Sequence, residues 1–379
     1  MPTPPKYLLT ILLIAWGAGV WAQPQDTVKL RGNINILNND NFFSAPSGTA
    51  VSERVTTQTI GINVVLPYSL QRFELDASLT GNQYQSYSNF DYVGQNYSAA
   101  WLWSVTPQLH GSLASSRAET LNAAIDSLNP SLRNKNTTQN TALLANYDLG
   151  GPWQLTAGVS NNNTVNERAL IGQSDNRSTG VNAGVRYALA SGNSLAYSMQ
   201  VANGSSTNDY TSTTHDVTLV WVLSGSTSLN SRVGYLRQSF AVTPQFDFNG
   251  VVGAMSFVWR PTGKTTLTAG WQRDIASYQT IGTTHTQIDT FTLSPAWQIS
   301  PKTSLSMQYR YAVRDDQGNP TGVPASRQDR LQDTSLSLSW QPRPLATLSA
   351  TVGEAYRNSN LANTNFAART VSLAALFSF

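Results

Sequence analysis

The 379-residue chain contains no cysteine. This excludes disulfides, a lipidated cysteine and metal sites built on thiolates. Charged residues make up only 12% of the sequence, about half of their usual share in soluble domains. After residue 22 no apolar run is long enough for a transmembrane helix. The formal net charge of +3 is too small to indicate a nucleic-acid partner.

Aromatic residues are abundant, with 10 Trp, 15 Tyr and 12 Phe. Disordered chains are poor in aromatic residues, so the low charge and the many Ser, Thr, Asn and Gln residues do not indicate disorder. They indicate a folded wall with one apolar and one polar face.

The first residues have the pattern of a secretory signal peptide. Lys6 supplies a positive start, 7–20 form an apolar core, and Ala22 ends a small-residue cleavage site. We therefore predict a signal peptide over 1–22 and one folded domain over 23–379.

The final stretch, 369–379, alternates between two faces and is broken only by Leu376. Val371, Leu373, Ala375, Phe377 and Phe379 share one face, opposite Thr370, Ser372, Ala374 and Ser378. A period of two residues with apolar side chains on one face is typical of membrane β-strands. Because lipid cannot satisfy an open sheet edge, the remaining strands are expected to close the sheet into a barrel.

Short turns and longer polar links divide the chain into about eighteen strands, with sixteen as the alternative count. The fold class is therefore all-β, a transmembrane antiparallel up-and-down barrel with short periplasmic turns and longer extracellular loops. The predicted short turns lie at 66–69, 106–107, 150–152, 191–193, 224–226, 261–263, 300–302 and 342–344. The predicted long links lie around 39–53, 84–91, 121–133, 164–176, 203–213, 238–246, 276–285, 315–329 and 358–366.

Large aromatic residues recur on the apolar faces, close to the predicted short turns. Amphipathic rings at one end of the strands are typical of a membrane-interface girdle, which makes outer-membrane lipid an expected partner. The predicted girdle consists of Trp101, Trp103, Tyr147, Trp153, Tyr187, Trp221, Trp259, Trp297 and Trp340.

Residues of the opposite parity are expected to line the lumen. The candidates are Arg31, Asn63, Glu74, Asp76, Asn82, Arg186, Asp216, Arg232, Gln272, Asp274, Gln308, Arg310 and Arg314. They mix both charge signs with amides, so the lumen is expected to favour hydrated solutes of little charge. The link 121–133 is a candidate constriction. A charge run is expected in an outer loop and its strand ends, either as a site for a saccharide or a surface lipid or as a solvated charge cluster. It consists of Arg314, Asp315, Asp316, Arg327, Asp329, Arg330 and Asp333.

The sequence carries no pattern that indicates catalysis, a cofactor or a metal ion. His110 and Ser112 share one strand face, but a nucleophilic serine also needs a group that orients its base. We place this pair on the inward face beside a short turn, where no lipid substrate would reach it. Glu354 falls on the apolar face and is expected near the outer rim or after a bulge.

The stretch Leu66 to Leu75, the hairpin repeat and the terminal Leu376-Phe377-Ser378-Phe379 resemble the EpsL-type outer-membrane proteins of exosortase-associated exopolysaccharide operons. This resemblance implies a barrel that conducts an exopolysaccharide chain and works beside a periplasmic polysaccharide-export protein. Two alternatives stay open. One is a general or sugar-selective diffusion porin, and the other is a structural barrel whose outer loops contact the extracellular matrix.

Overall fold

The computed structural model describes residues 27–121, 132–168, 174–189, 192–280, 282–320, 322 and 327–379. The predicted signal peptide and nearly all of the predicted constriction lie outside these residues. The described chain forms one antiparallel sheet of eighteen strands and two short 3₁₀ helices, Ser88–Phe90 and Pro244–Phe246. No helix in these ranges has the length and hydropathy needed to cross a membrane.

The strands follow one another around the sheet in chain order, and each is twelve to eighteen residues long. They are β1 (Val28–Asn39), β2 (Glu53–Tyr68), β3 (Gln71–Tyr84), β4 (Tyr92–Ser104), β5 (Leu109–Leu121), β6 (Lys135–Asp148), β7 (Trp153–Asn166), β8 (Asn176–Ala188), β9 (Ser194–Ser205), β10 (Asp209–Ser224), β11 (Thr227–Phe240), β12 (Phe248–Thr262), β13 (Thr265–Thr280), β14 (Thr283–Ser300), β15 (Thr303–Gln317), β16 (Gln328–Arg343), β17 (Ala346–Ser359) and β18 (Phe366–Ser378).

The last strand closes the barrel against the first. The β1–β18 ladder runs from the pair Arg31–Ser378 to the pair Asn39–Thr370. Leu30 and Phe379 extend it, because each donates its backbone N–H to the other's carbonyl oxygen at 2.8 Å. No strand edge is left unpaired among the described residues, which confirms eighteen strands and excludes sixteen.

All eight predicted short turns join consecutive strands, although Pro67 itself lies within β2 and the turn follows at Ser69. Two of the predicted long links, 203–213 and 276–285, contain the strand connections but are wrong in length. β9 ends at Ser205 and β10 begins at Asp209, while β13 ends at Thr280 and β14 begins at Thr283. These strands continue past their apolar segments with Ser, Thr and Asn on both faces, so the ladder persists where the apolar alternation has ended. Below, the two ends of the barrel are called the short-turn end and the long-loop end.

Side chains alternate between the two faces of the wall along each strand. Large hydrophobic residues of one parity are exposed on the outside, for example Leu30 (49%), Val181 (56%) and Leu373 (61%). The residues between them point into the barrel. A wall that is apolar outside and polar inside cannot slip by one residue without exchanging its two faces, so this alternation fixes the register.

The long-loop end holds the tightly packed part of the molecule. Five aromatic residues pack together there, with ring centroids 4.8 to 6.4 Å apart: Phe42, Phe43, Tyr84, Tyr87 and Phe90. At the same end, Arg133 donates its Nε–H to Glu167 at 3.1 Å and holds the pKa of that carboxyl below its usual value. The loops are thus fixed by packing and by ion pairs.

Two loops at this end have the same structure. In 84–92 and in 240–248, an aromatic residue is followed by a 3₁₀ turn ending in Phe-Asp and then by another aromatic residue. Asp91 accepts the backbone N–H of Tyr84 at 2.7 Å, and Asp247 accepts that of Phe240 at 2.8 Å. The two loops lie eight strands apart, almost opposite one another across the barrel mouth.

Glu53 anchors the first of these loops, and its removal is expected to destabilise the barrel. Its carboxylate is 3% exposed and accepts the backbone N–H groups of Arg54, Gln85, Ser86 and Tyr87 at 2.8 to 3.1 Å. Leaving buried donors unpaired costs about 1–3 kcal/mol each, so Glu53→Ala is expected to lower the unfolding free energy by about 2–4 kcal/mol.

Denaturant unfolding of the refolded barrel measures this loss. Glu53→Gln keeps one acceptor oxygen and is expected to lie between the wild type and Glu53→Ala. The matched control is Glu354→Ala, because the Glu354 side chain is 46% exposed. Equal stability of Glu53→Ala and Glu354→Ala would contradict the anchoring role.

Candidate functional site

The interior of the barrel is open to solvent. Inward side chains remain well exposed: 40% for Arg31, 38% for Asp76, 43% for Arg310 and 42% for Asp333. A small barrel fills its interior with side chains, whereas a wider one leaves a channel. The exposed inward charges therefore show that space remains along this wall, and the lumen is the candidate functional site.

Neighbouring strands β1, β2 and β3 hold one charged group of the lumen. Arg31 pairs with Asp76 at 2.5 Å, and Asn63 donates its amide N–H to the second carboxylate oxygen of Asp76 at 3.3 Å. The strand register brings these residues together, because Asn63 lies directly opposite Asp76 and Arg31 lies opposite Gly61. Gly61 has no side chain, so the guanidinium of Arg31 can pass over it.

Two further ion pairs occupy other parts of the lumen. Arg232 of β11 lies 2.9 Å from Asp216 of β10, and Arg310 of β15 lies 2.9 Å from Asp333 of β16. Arg72 and Glu74 form a fourth inward pair at 2.7 Å. Each of these arginines has a carboxylate within contact distance, so the charges of these four pairs largely cancel.

The structure places every predicted lumen residue on the face opposite the exposed hydrophobic residues. Asn82 accepts a hydrogen bond from Thr57, and Gln272 donates to Asp274 at 2.7 Å. Arg314 differs from the others, because its side chain is only 12% exposed and pairs with the buried Asp316 at 2.9 Å. It belongs to the packed rim at the long-loop end. Arg327 pairs with Asp329 in the same rim at 2.7 Å.

Two lumen aspartates were not predicted from the sequence. Asp333 belongs to the charge run that the sequence assigns to an outer loop and its strand ends, yet it lies inside β16 as the partner of Arg310. Asp148 accepts a hydrogen bond from Gln154 at 2.8 Å and lies 3.7 Å from Nδ1 of His110. Strand parity would have indicated both aspartates, had the strand boundaries been extended to include them.

Known proteins similar to this chain point to the same architecture. Residues 222–379 match the family model described as "Putative beta-barrel porin 2". Comparison with curated protein sequences finds no match.

Solved porin structures superpose on nearly the whole chain. OpdK of Pseudomonas aeruginosa, solved with vanillate, is 14% identical with a TM-score of 0.54, covering 93% of this chain and 99% of OpdK. OccK2 (OpdF) of the same organism, in complex with glucuronate, is 13% identical with a TM-score of 0.54, covering 93% and 98%. A BenF-like porin from Pseudomonas fluorescens Pf-5 is 12% identical with a TM-score of 0.54, covering 93% and 99%.

The chain has a porin fold. The solved structures that share it include an outer membrane protein, OpdK, and the BenF-like porin. The narrower similarity to EpsL-type proteins is not tested by these matches and stays a prediction.

The outward face of this porin fold carries the predicted aromatic girdle residues on strands β4, β6, β7, β8, β10, β12, β14 and β16, all close to short turns. Trp153 packs against Tyr187 with ring centroids 4.7 Å apart, and Trp101 stacks on Phe73 at 6.1 Å. Trp101 also donates its indole N–H to Gln71 at 2.7 Å. The rings thus combine an exposed apolar surface with polar contacts near the turns, as a membrane interface requires.

Glu354 lies on the outward face of β17 without a bulge, because the β16–β17 ladder is regular from Asp329 to Trp340. Its carboxylate is 3.0 Å from Nε of Arg369 and accepts a hydrogen bond from the hydroxyl of Tyr356 at 2.9 Å. The charge is therefore compensated by neighbours on the same face.

His110 and Ser112 both face the lumen on β5, beside a short turn. No hydrogen bond joins them in the part of the chain that the structure describes, and His110 instead faces Asp148. Within the same ranges, no group of three or more His, Cys, Asp or Glu residues is arranged to hold a metal ion.

Proposed function

We propose that this protein is an outer-membrane porin whose lumen passes hydrated, hydroxyl-rich solutes of little net charge. One observation carries the proposal: inward arginines are paired with inward carboxylates in Arg31–Asp76, Arg232–Asp216 and Arg310–Asp333. Such a wall offers many hydrogen-bond donors and acceptors but a weak field of either sign.

Rapid passage of a solute through the lumen depends on weak contacts at many positions. A solute that exchanges hydrogen bonds with successive hydroxyl and amide groups enters favourably yet is never held strongly enough to stop. Two similar structures contain acids, OpdK with vanillate and OccK2 (OpdF) in complex with glucuronate. In this chain the carboxylate partners of the arginines compete with a solute anion, which favours neutral solutes.

Solute uptake by liposomes containing the purified protein tests this function. Neutral mono- and disaccharides are expected to swell the liposomes faster than a sugar acid of similar size. Protein-free liposomes serve as the control. Absence of swelling with every solute would contradict the porin function, and faster entry of the sugar acid would contradict the preference for neutral solutes.

A second candidate is the conduit for an exopolysaccharide chain, assisted by a periplasmic export protein. Adjacent hydroxyl groups on the inward face of β15 to β18 favour it. Ser306, Ser337, Thr351 and Ser372 lie level with one another on the four strands, and Thr351 donates to Ser337 at 2.9 Å. Successive sugar units of a polymer can form weak hydrogen bonds with these hydroxyl groups, and no single position binds the polymer strongly.

Deletion of the gene separates this candidate from a diffusion porin. Loss of secreted polymer, with retention in the periplasm and recovery on complementation, is expected for a conduit. Unchanged secretion with normal sugar uptake by liposomes would overturn the conduit and leave the diffusion porin.

A further inference from the structure

The outer wall of the barrel is grooved where β18, β1, β2, β3, β4 and β5 lie side by side. The groove has a volume of about 610 Å³ and is lined mainly by apolar atoms. Its walls include Leu30, Ile60, Leu79, Tyr97 and Phe377. All five belong to the parity that faces outward, so the groove opens away from the lumen.

Small residues form the floor of the groove. Gly32 lies between Phe377 and Ile60 in register, and Ala77 lies between Ile62 and Tyr97. A larger side chain stands on either side of each small one. Each small residue therefore leaves a low point between larger side chains.

The groove climbs the wall as it crosses the strands. Leu30, two residues from the start of β1, lies toward the short-turn end. Arg117, four residues from the end of β5, lies toward the long-loop end. The five inter-strand steps from β18 to β5, each of about 4.8 Å, give a length of roughly 24 Å. An extended hydrocarbon chain matches a groove of this shape.

Two cationic side chains, Arg117 and Lys135, lie at the end of the groove nearer the long-loop end. Glu119, 3% exposed, bonds to Arg117 and accepts from Nζ of Lys135 at 3.2 Å. Glu119 also accepts the backbone N–H of Gln95 at 3.1 Å, so its carboxylate oxygens are hydrogen-bonded to groups of the barrel wall. Arg117 and Lys135 remain 31% and 28% exposed, and this group of two cations and one anion suits an anionic headgroup.

We propose that this groove binds one acyl chain of a phosphorylated outer-leaflet lipid, with a headgroup phosphate held by Arg117 and Lys135. The inference rests on the proposed function, because it requires the wall to stand in the outer membrane. The apolar floor of the groove buries the acyl chain. The excess positive charge at the long-loop end binds the phosphate.

Native mass spectrometry of the full chain, refolded in detergent micelles with bisphosphorylated hexa-acylated lipid A, tests the site. The wild type is expected to retain one lipid molecule. Ala77→Phe fills the floor and Arg117→Gln removes a charged donor, and each is expected to weaken retention about tenfold or more. The matched controls are Ala183→Phe and Arg177→Gln, outward substitutions on β8 that are expected to retain the lipid as the wild type does.

Wild-type retention by Ala77→Phe and Arg117→Gln would overturn the site. Equal binding of dephosphorylated lipid A would also overturn it, as would displacement of lipid A from the wild type by inorganic phosphate alone. Channel conductance of the same preparations is measured in planar bilayers. Conductance without lipid retention rejects only the groove, whereas absence of conductance in the wild type rejects the porin function itself.

Discussion

A chain that ends before Phe366 is expected to form no barrel. β18 pairs with β17 over twelve residue positions and with β1 over nine, so its loss exposes two strand edges at once. Each unsatisfied backbone group in lipid costs several kcal/mol. The summed cost of a whole row of such groups is far larger than the stability of the fold. The expected result is no heat-modifiable band on SDS–PAGE after refolding and no conductance in planar bilayers.

Phe379→Ala is the control for this truncation. It removes the terminal aromatic ring but keeps the two backbone hydrogen bonds between Leu30 and Phe379. If backbone closure is what matters for the purified protein, this variant folds and conducts while the truncated chain does not. A truncated chain that migrates as a folded band and conducts would show that seventeen strands can close, contrary to the argument from edges.

The architecture was predictable because one physical pattern repeats along the chain. In lipid, the outward face of a strand is mainly apolar, so residues such as Val371, Leu373 and Ala375 alternate with polar ones without help from distant contacts. Short turns then follow from Gly, Pro and Ser at the strand ends. These signals are local, and they gave the fold class, the strand count and the parity of the lumen residues.

The pattern fails at the long-loop end, where both faces of a strand are polar. The segments 203–213 and 276–285 therefore resembled loops although most of each is strand. The repeated loops at 84–92 and 240–248 did carry a usable signal, since both show an aromatic residue followed six positions later by Phe-Asp. Only the structure shows that the aspartate of each loop accepts a backbone N–H at the end of the preceding strand.

Pairing within the lumen was also beyond sequence reasoning. Arg31 and Asp76 are separated by 45 residues, and Arg310 and Asp333 by 23. Parity places such residues on the same face, but only the register decides which carboxylate meets which arginine. The functional consequence, a lumen whose charges cancel, depends on that register.

Neutralising three lumen aspartates is expected to turn the channel anion-selective. In the combined variant Asp76→Asn, Asp216→Asn and Asp333→Asn, the inward Arg31, Arg232 and Arg310 lose their partners. Positive charge then lines the path, and the chloride-to-potassium permeability ratio is expected to rise on the order of tenfold at low salt. The reversal potential of single channels under a KCl gradient measures this ratio.

The fold is expected to survive this change, because partly exposed ion pairs contribute only about 0–1 kcal/mol each. The reciprocal variant Arg31→Gln, Arg232→Gln and Arg310→Gln is expected to shift the reversal potential in the opposite direction. Glu354→Gln removes a carboxylate from the outer face of the wall and is expected to leave the potential unchanged. If both lumen variants gave the wild-type reversal potential, these ion pairs would not line the conducting path, because only charges beside the ion stream alter its selectivity.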